Sequence, residues 1–161
     1  MVGAGALGLA TAWHLTKGGL TDVTVLERGQ IAGASSGLSV GIIETQYLDP
    51  LAIEIRVASM RAFTELERSG AIAITRNGYL RLAHAEADLE AFGRSVEIQR
   101  SLGVADSRVV DQDGLRSLVP DLGVDDLVGG LFGPSDGYID GHRYCSALAG
   151  AVVDAGGHVL Q

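Results

Sequence analysis

Three glycines near the start of the chain have the spacing of a phosphate-binding turn. Gly3, Gly5 and Gly8 match the pattern G-x-G-x-x-G. In such a turn the first glycine permits a sharp bend, the second lets a pyrophosphate approach the backbone, and the third lets a helix pack closely against a strand. A helix that begins at the turn directs unpaired N–H groups at the phosphates. The pattern is weak by itself, so its weight depends on the residues that follow.

A carboxylate follows at the distance that such a turn requires. Glu27 lies 19 residues after Gly8, directly behind the apolar run of residues 23–26. In dinucleotide-binding folds an acidic residue about 20 residues beyond the glycines binds a ribose hydroxyl. Because a carboxylate would repel a 2′-phosphate, the combination favours FAD or NAD over NADP.

The elements that would position these residues alternate between helices and strands. The glycine turn leads into a helix that ends at Lys17, followed by a buried strand over 23–26 and a glycine- and serine-rich loop over 29–41. Further helices are predicted over about 50–69, 85–102, 112–119 and 140–155, with strands over 71–75, 79–82, 108–110, 128–132 and 158–160. Asn77 and Gly78 separate two apolar runs and predict a β-hairpin.

The composition narrows the classes of function. The chain has 161 residues, of which 47% are hydrophobic, and carries a formal charge of −8. This acidic balance argues against nucleic acid and anionic membranes as partners, because both would be repelled. The single cysteine, Cys145, excludes an internal disulfide and a cysteine-cluster metal site, and it favours a reducing, cytoplasmic location. The four histidines lack metal-ligand spacing, so no metal is expected.

With these features together, the chain resembles the FAD-dependent oxidoreductases of the D-amino-acid oxidase superfamily. Residues 2–15 and 22–29 match the opening of that family, and residues 33–43 resemble its second flavin-contacting loop, which an NAD dehydrogenase would not need. A looser similarity over 42–47, 77–84 and 133–140 points to the sarcosine oxidase and dehydrogenase branch. That branch oxidises secondary or N-methylated amines by hydride transfer to the flavin.

The resemblance implies a fold class and a domain arrangement. We expect an α/β protein in which a Rossmann-like FAD-binding domain with a parallel sheet contains an inserted α+β portion of a substrate domain. The FAD-binding domain would comprise residues 1–70 and 130–161, and the substrate-domain portion residues 71–129. The family's chains are much longer, and only two residues precede Gly3. The fold is therefore expected to be incomplete at both ends, and this chain to be a truncated, inactive fragment.

The resemblance also implies the cofactor contacts. They would come from the glycine turn, the end of the second strand and the following loop, namely Gly3, Gly5, Ala6, Leu7, Gly8, Glu27, Arg28, Ser35, Ser36, Gly41 and Ile42. No pair of residues has the spacing of a general acid and base, so the catalytic residues stay unassigned.

Two positions depart from the family pattern. Several amine-oxidising relatives have a basic residue where this chain has Glu44, close to flavin and substrate. An acid there would disfavour a substrate carboxylate, so a cationic or neutral amine is expected. The proline that usually follows the Asp-Gly-Tyr-x-Asp run is replaced by Gly141, and we expect this change at a helix start to matter little.

Two other functions remain open at this stage. One is an NAD-dependent Rossmann dehydrogenase, which would have the same glycine turn. The other is a non-catalytic flavin-binding subunit, which would depend on a partner protein. The expected partners are a small-molecule amine and either a partner subunit or the remainder of the same chain.

Overall fold

The computed structural model describes residues 1–161. Helices are α1 (Ala6–Lys17), α2 (Pro50–Arg68), α3 (Glu86–Ser101), α4 (Gln112–Leu118) and α5 (Gly141–Asp154). Strands are β1 (Thr24–Leu26), β2 (Ile42–Ile43), β3 (Ile74–Thr75), β4 (Tyr79–Ala83), β5 (Arg108–Val110), β6 (Gly129–Gly133), β7 (Gly137–Ile139) and β8 (His158–Leu160). None of the helices combines the length and the apolar character needed to span a membrane.

The first of two compact units is built on a parallel sheet. It comprises residues 1–42, 64–74 and 138–161. In it, β1 pairs in parallel with β8, with Thr24 opposite His158 and Leu26 opposite Leu160. On its other side Leu26 forms a parallel bridge with Val2. The sequence prediction of an α/β fold in which residues 23–26 and 158–160 run parallel is therefore confirmed.

Two helices cover the apolar side of this sheet. Helices α1 and α5 pack against each other, α1 contacts β1, and α5 contacts β8. Each helix contributes fully buried apolar residues to this unit, Leu9 and Ala12 from α1 and Cys145, Leu148 and Val152 from α5. The core of the first unit therefore includes one face of each helix.

The second unit is built on an antiparallel sheet. It comprises residues 43–63 and 75–137 and contains the sheet β4-β6-β5. Helix α3 packs on this sheet through Phe92 and Val96, which form a buried cluster with Ala83 and Leu131. Around Leu115 of α4 lies a second buried cluster. Asp111 caps α4 by accepting a hydrogen bond from the Gly114 N–H at 2.8 Å, as the sequence predicts.

The chain passes between the two units four times, within β2, α2, β3 and β7. The three strands among these elements form a sheet of order β2-β7-β3. This division places residues 43–63 and 130–137 in the second unit, whereas the sequence analysis assigns them to the first domain and expects only two exchanges. The assignment of the units as FAD-binding domain and substrate-domain portion stays a prediction.

The β-hairpin predicted at Asn77–Gly78 is wrong. Strands β3 and β4 flank this turn, but β3 pairs with β7 whereas β4 pairs with β6. Gly78 has a positive φ of 80°, as a tight turn requires, and its N–H donates to the Asp136 carbonyl at 3.0 Å. Asn77 and Gly78 do form a turn, but residues 129–139 provide the partners of both strands, so β3 and β4 do not pair with each other.

Candidate functional site

The glycine turn brings the start of α1 against the first residues of the chain. Gly3 has a φ of +99°, and its N–H donates to the Leu26 carbonyl at 2.8 Å, which fixes the turn to the end of β1. A Cβ at Gly8 would lie 2.0 Å from the Gly3 carbonyl oxygen. Only glycine therefore permits this approach of helix to turn. Gly5 is the residue before α1, and the Ala6 N–H at the helix start donates to Ser36 Oγ at 2.9 Å.

The carboxylate of Glu27 is tied directly to this turn. Its Oε2 accepts a hydrogen bond from the Ala4 N–H at 2.8 Å, and its Oε1 accepts one from the Gly29 N–H at 2.9 Å. These two backbone donors hold the pKa of Glu27 below its usual value. Glu27 is therefore ionised at neutral pH, and each oxygen keeps a lone pair for a hydroxyl donor.

A cavity of about 190 Å³ lies between the turn, Glu27 and the loop after β1. The predicted site residues Gly5, Glu27, Arg28 and Ser36 line it together. Its lining also includes Gly33 and Ala34, which belong to the predicted flavin-contacting loop, and three residues that the sequence indicated only as loop: Gly29, Gln30 and Ala32. Ala32 has a positive φ of 59°, and its N–H donates to the Ala4 carbonyl at 3.0 Å. The glycines at positions 29, 33 and 37 are the sequence feature that could have indicated that this loop lines the cavity.

The other seven predicted residues do not line this cavity: Gly3, Ala6, Leu7, Gly8, Ser35, Gly41 and Ile42. Leu7 is in the first turn of α1 with 87% of its surface exposed, and Ser35 is exposed in the loop. Gly41 has a φ of +70°, and its carbonyl accepts a hydrogen bond from the Ile139 N–H at 3.0 Å. Ile42, which follows in β2, is 47% exposed. The structure therefore brings Gly5, Glu27, Arg28 and Ser36 together at the cavity and places the other predicted residues outside its lining.

The loop that carries Ser36 presses against the start of α5. A Cβ at Gly141 would lie 2.3 Å from the Ser36 carbonyl oxygen, and one at Gly37 would lie 2.4 Å from His142 Nε2. The expectation that Gly141 matters little is therefore wrong. Any side chain there, including the proline of relatives, would require Ser36 to move.

Within the second unit, Glu44 is buried and has a cationic partner. One of its oxygens, Oε2, accepts a hydrogen bond from the Gln46 N–H at 2.6 Å, while Oε1 lies 3.5 Å from Arg81 Nη2. The Arg81 guanidinium also lies 5.6 Å from the ring centres of Tyr47 and Tyr79. Glu44 is therefore not the isolated acid that the sequence by itself indicates. The ion pair with Arg81 compensates its charge.

A second buried carboxyl, that of Asp136, lies in the same unit. Its oxygens accept hydrogen bonds from the Thr45 N–H at 3.1 Å and from Gln46 Nε2 at 2.9 Å. Burial raises the pKa of Asp136 to about 6, and the nearby Glu44 charge acts in the same direction. Asp136 and Thr45 also line a cavity of about 390 Å³ with Asp106 and Ser135.

The parallel sheet, the glycine turn and the acid bound to it are features of a dinucleotide-binding α/β protein. The chain belongs to the FAD dependent oxidoreductase (DAO) family, whose model matches residues 1–161. The family resemblance stated from the sequence is therefore confirmed, and so is FAD as the cofactor of the family.

Similar proteins include amine-oxidising enzymes. Human mitochondrial sarcosine dehydrogenase is 28% identical over 164 residues, which cover 100% of this chain and 18% of that protein. Sarcosine oxidase subunit beta of Arthrobacter sp is 28% identical over 169 residues, covering 100% of this chain and 42% of that one. The structure of L-proline dehydrogenase from P. horikoshii superposes with a TM-score of 0.89 at 24% identity, over 99% of this chain and 42% of that one. The chain thus spans less than half the length of each.

The residues at the first-unit cavity suit FAD. Gly5 lines the cavity without a Cβ, and the N-terminal end of α1 favours negative charge, so a pyrophosphate can approach the backbone there. The ionised Glu27 can accept hydrogen bonds from a ribose.

Proposed function

We propose that this chain supplies the FAD-binding part and a portion of the substrate domain of an enzyme that oxidises a secondary or N-methylated amine. Membership of the DAO family and the names of the sarcosine-oxidising relatives support this function. The structural observation that carries it is the Glu27 carboxylate, which is bound to the Ala4 N–H of the glycine turn and faces the cavity at the start of α1.

The proposed roles follow the position of each group. Backbone groups from Gly3 to Gly8, including the amide of Leu7, bind the pyrophosphate, and Glu27 binds the adenosine ribose, with Arg28 beside it. Ser36 holds the N-terminal end of α1 by accepting the Ala6 N–H. The exposed Ser35, together with Gly41 and Ile42, would follow the cofactor from phosphate to ring. When bound, FAD supplies the ring that accepts the hydride.

Titration of the 161-residue chain with FAD and with NAD tests the cofactor. Quenching of flavin fluorescence and absorption near 450 nm are expected with FAD, and NAD is expected to compete poorly. A chain that binds NAD but not FAD would favour the nicotinamide dehydrogenase. One that binds neither would favour the partner-dependent subunit. Anaerobic bleaching of the flavin by sarcosine, measured on the chain joined to its full-length context, tests the amine-oxidising activity.

Replacing Glu27 with glutamine is expected to weaken FAD binding by roughly tenfold to a hundredfold. The substitution keeps the size of the side chain but removes the charge and one of the two acceptor oxygens, and charge-assisted hydrogen bonds are the stronger kind. Fluorescence titration measures the change. Glu65→Gln is a matched control, because Glu65 pairs with Lys17 on the surface of the same unit, away from the cavity lining. Equal affinities for the two variants would contradict the assigned role.

We also propose that the enzyme works with a partner subunit, since one relative is named as a subunit. A cytoplasmic location is proposed from the reducing environment that a free, buried Cys145 suits. Size-exclusion chromatography of the native complex and fractionation of the source cells test these two points separately.

A further inference from the structure

Helix α2 has two apolar faces, and the second unit covers only one of them. On the covered face, Ile53 and Val57 are buried, with 0% and 7% of their surfaces exposed. Leu51 and Ile55 are 62% and 56% exposed. Each of these two is separated from Ile53 by two residues, which is about 200° around a helix, so they lie on the opposite face. This opposite face has no partner within the chain to cover it.

The uncovered face has the residue spacing of a helix that packs along another helix. Its four apolar residues, here called the α2 stripe, are Leu51, Ile55, Ala58 and Ala62. They are separated by four, three and four residues, which is the repeat of paired helices. Ala58 is exposed and Ala62 is half-buried, and all four residues belong to the second unit. Single exposed apolar residues are ordinary on a protein surface, whereas a contiguous row of them indicates an interaction surface.

The order of large and small residues along the α2 stripe suits a second copy of the same helix in the opposite direction. In an antiparallel pair, Leu51 of one copy lies opposite Ala62 of the other, and Ile55 lies opposite Ala58. Every layer then combines one large and one small side chain, which is how close-packed interfaces are filled. A parallel pair would place leucine against leucine at one end and alanine against alanine at the other, and would leave a gap between the alanines.

The charges beside the α2 stripe favour the same antiparallel arrangement. Glu54 and Arg61 are both exposed and flank the stripe on the same side. In an antiparallel pair, Glu54 of each copy lies across from Arg61 of the other, so the twofold symmetry produces two ion pairs. Arg61 makes one long hydrogen bond within the chain, to the Leu102 carbonyl at 3.4 Å, and keeps other N–H donors for a carboxylate. In a parallel pair Glu54 would face the uncharged Ser59.

We propose that the α2 stripe is the contact surface between two copies of this chain, with their α2 helices antiparallel about a twofold axis. A second copy is the occupant because both the residue sizes and the charges complement their own reversed sequence, which binding of an unrelated protein would not require. A contact of three helical turns lies below the roughly 1,200 Å² of a standard interface. The association is therefore expected to be weak, with a dissociation constant on the order of 100 μM.

Sedimentation equilibrium of the 161-residue chain, at concentrations from about 10 μM to about 1 mM, tests the proposal. A reversible equilibrium between monomer and dimer is expected. Ala58→Glu places an unpaired charge within the contact and should weaken the dimer at least about tenfold. Ala87→Glu is the matched control, because it adds the same charge at an exposed alanine of α3 in the same unit and should leave the dissociation constant unchanged.

Charge reversal distinguishes the antiparallel α2 contact from association through another surface. Glu54→Arg and Arg61→Glu should each weaken the dimer about tenfold, since like charges would then meet at two places. The double variant Glu54→Arg/Arg61→Glu should regain the affinity of the unmodified chain. A dimer that forms equally in Ala58→Glu, folded by circular dichroism, or a double variant no tighter than the single ones, would overturn the proposal. A chain that stays monomeric throughout would also overturn it, and would leave the α2 stripe to a different protein.

Discussion

Replacing Gly8 with alanine is expected to destabilise the first unit by about 3 kcal/mol or more and to abolish FAD binding. The added Cβ would lie 2.0 Å from the Gly3 carbonyl oxygen. That oxygen belongs to the backbone of a turn whose N–H is bonded to β1, so no flexible side chain can yield. Overpacking of this kind typically costs 1–3 kcal/mol, and a backbone obstacle lies at the upper end of that range or beyond. Urea denaturation and FAD titration measure the two effects.

Gly150→Ala provides the matched control for this substitution. Gly150 lies within α5 of the same unit, is exposed, and would bring its Cβ within 4 Å of no other group. Alanine is favoured over glycine within a helix, so this variant should be more stable by about 0.5–1 kcal/mol. If the two alanine variants change stability in the same direction, close packing is not what requires glycine at position 8.

Local signals accounted for most of the helices and strands. The apolar, β-branched run before Glu27 and the short run after α5 are the two strands that pair in parallel. Asp111 is the N-cap that its sequence context predicts. These features depend on residues a few positions apart, which the sequence shows directly.

Pairings between distant segments could not be predicted in this way. The strands on either side of Asn77–Gly78 belong to different sheets because residues 129–139 offer partners to both. Strands β2 and β7 have only two and three residues, too few for an alternating pattern to stand out. The place of residues 43–63 in the second unit likewise depends on contacts with residues 75–137.

The same distinction between local and distant residues applies to the candidate site. The glycine turn and Glu27 were predicted because a fixed spacing joins them, and the structure places them at one cavity. The part of the loop lining that precedes residue 33, formed by Gly29, Gln30 and Ala32, was not predicted, since no charged or nucleophilic side chain marks it. The partner of Glu44 could not be seen either, because Arg81 is 37 residues away along the chain.

The stability of the second unit is expected to fall as the pH rises through 6, because of Asp136. Its pKa is about 6 in the folded protein, against an ordinary value of 3.8, since the carboxyl is only 2% exposed and burial disfavours its charged form. The folded state therefore binds this proton more tightly than the unfolded state does. The resulting stabilisation is complete below pH 3.8 and is lost as the pH rises through 6. A shift of this size corresponds to about 3 kcal/mol.

Asp136→Asn isolates this contribution, because asparagine has the same shape and does not titrate. Urea denaturation between pH 4 and 8, followed through NMR signals of the second unit, should show a free energy of unfolding that declines with pH in the unmodified chain. In the variant that decline should be smaller by about 2.4 kcal/mol, since pH 4 lies just above the ordinary pKa of 3.8 and the full effect is reached only at lower pH. The absolute stability of the variant is a poorer measure, since its amide N–H₂ would face the Gln46 Nε2 donor that now bonds to Asp136.

Asp140→Asn is the control, because the pKa of Asp140 is shifted in the opposite direction to that of Asp136. The Asp140 carboxylate caps α5 by accepting the Arg143 N–H, and this bond holds its pKa below the ordinary value. Its contribution is therefore present above pH 3.8 and is lost only as the pH falls below it, so this variant should keep the decline through pH 6. Parallel pH profiles for Asp136→Asn and the unmodified chain would mean that Asp136 is charged in the folded protein at pH 5. Its hydrogen bonds from Thr45 and Gln46 would then outweigh the cost of its burial.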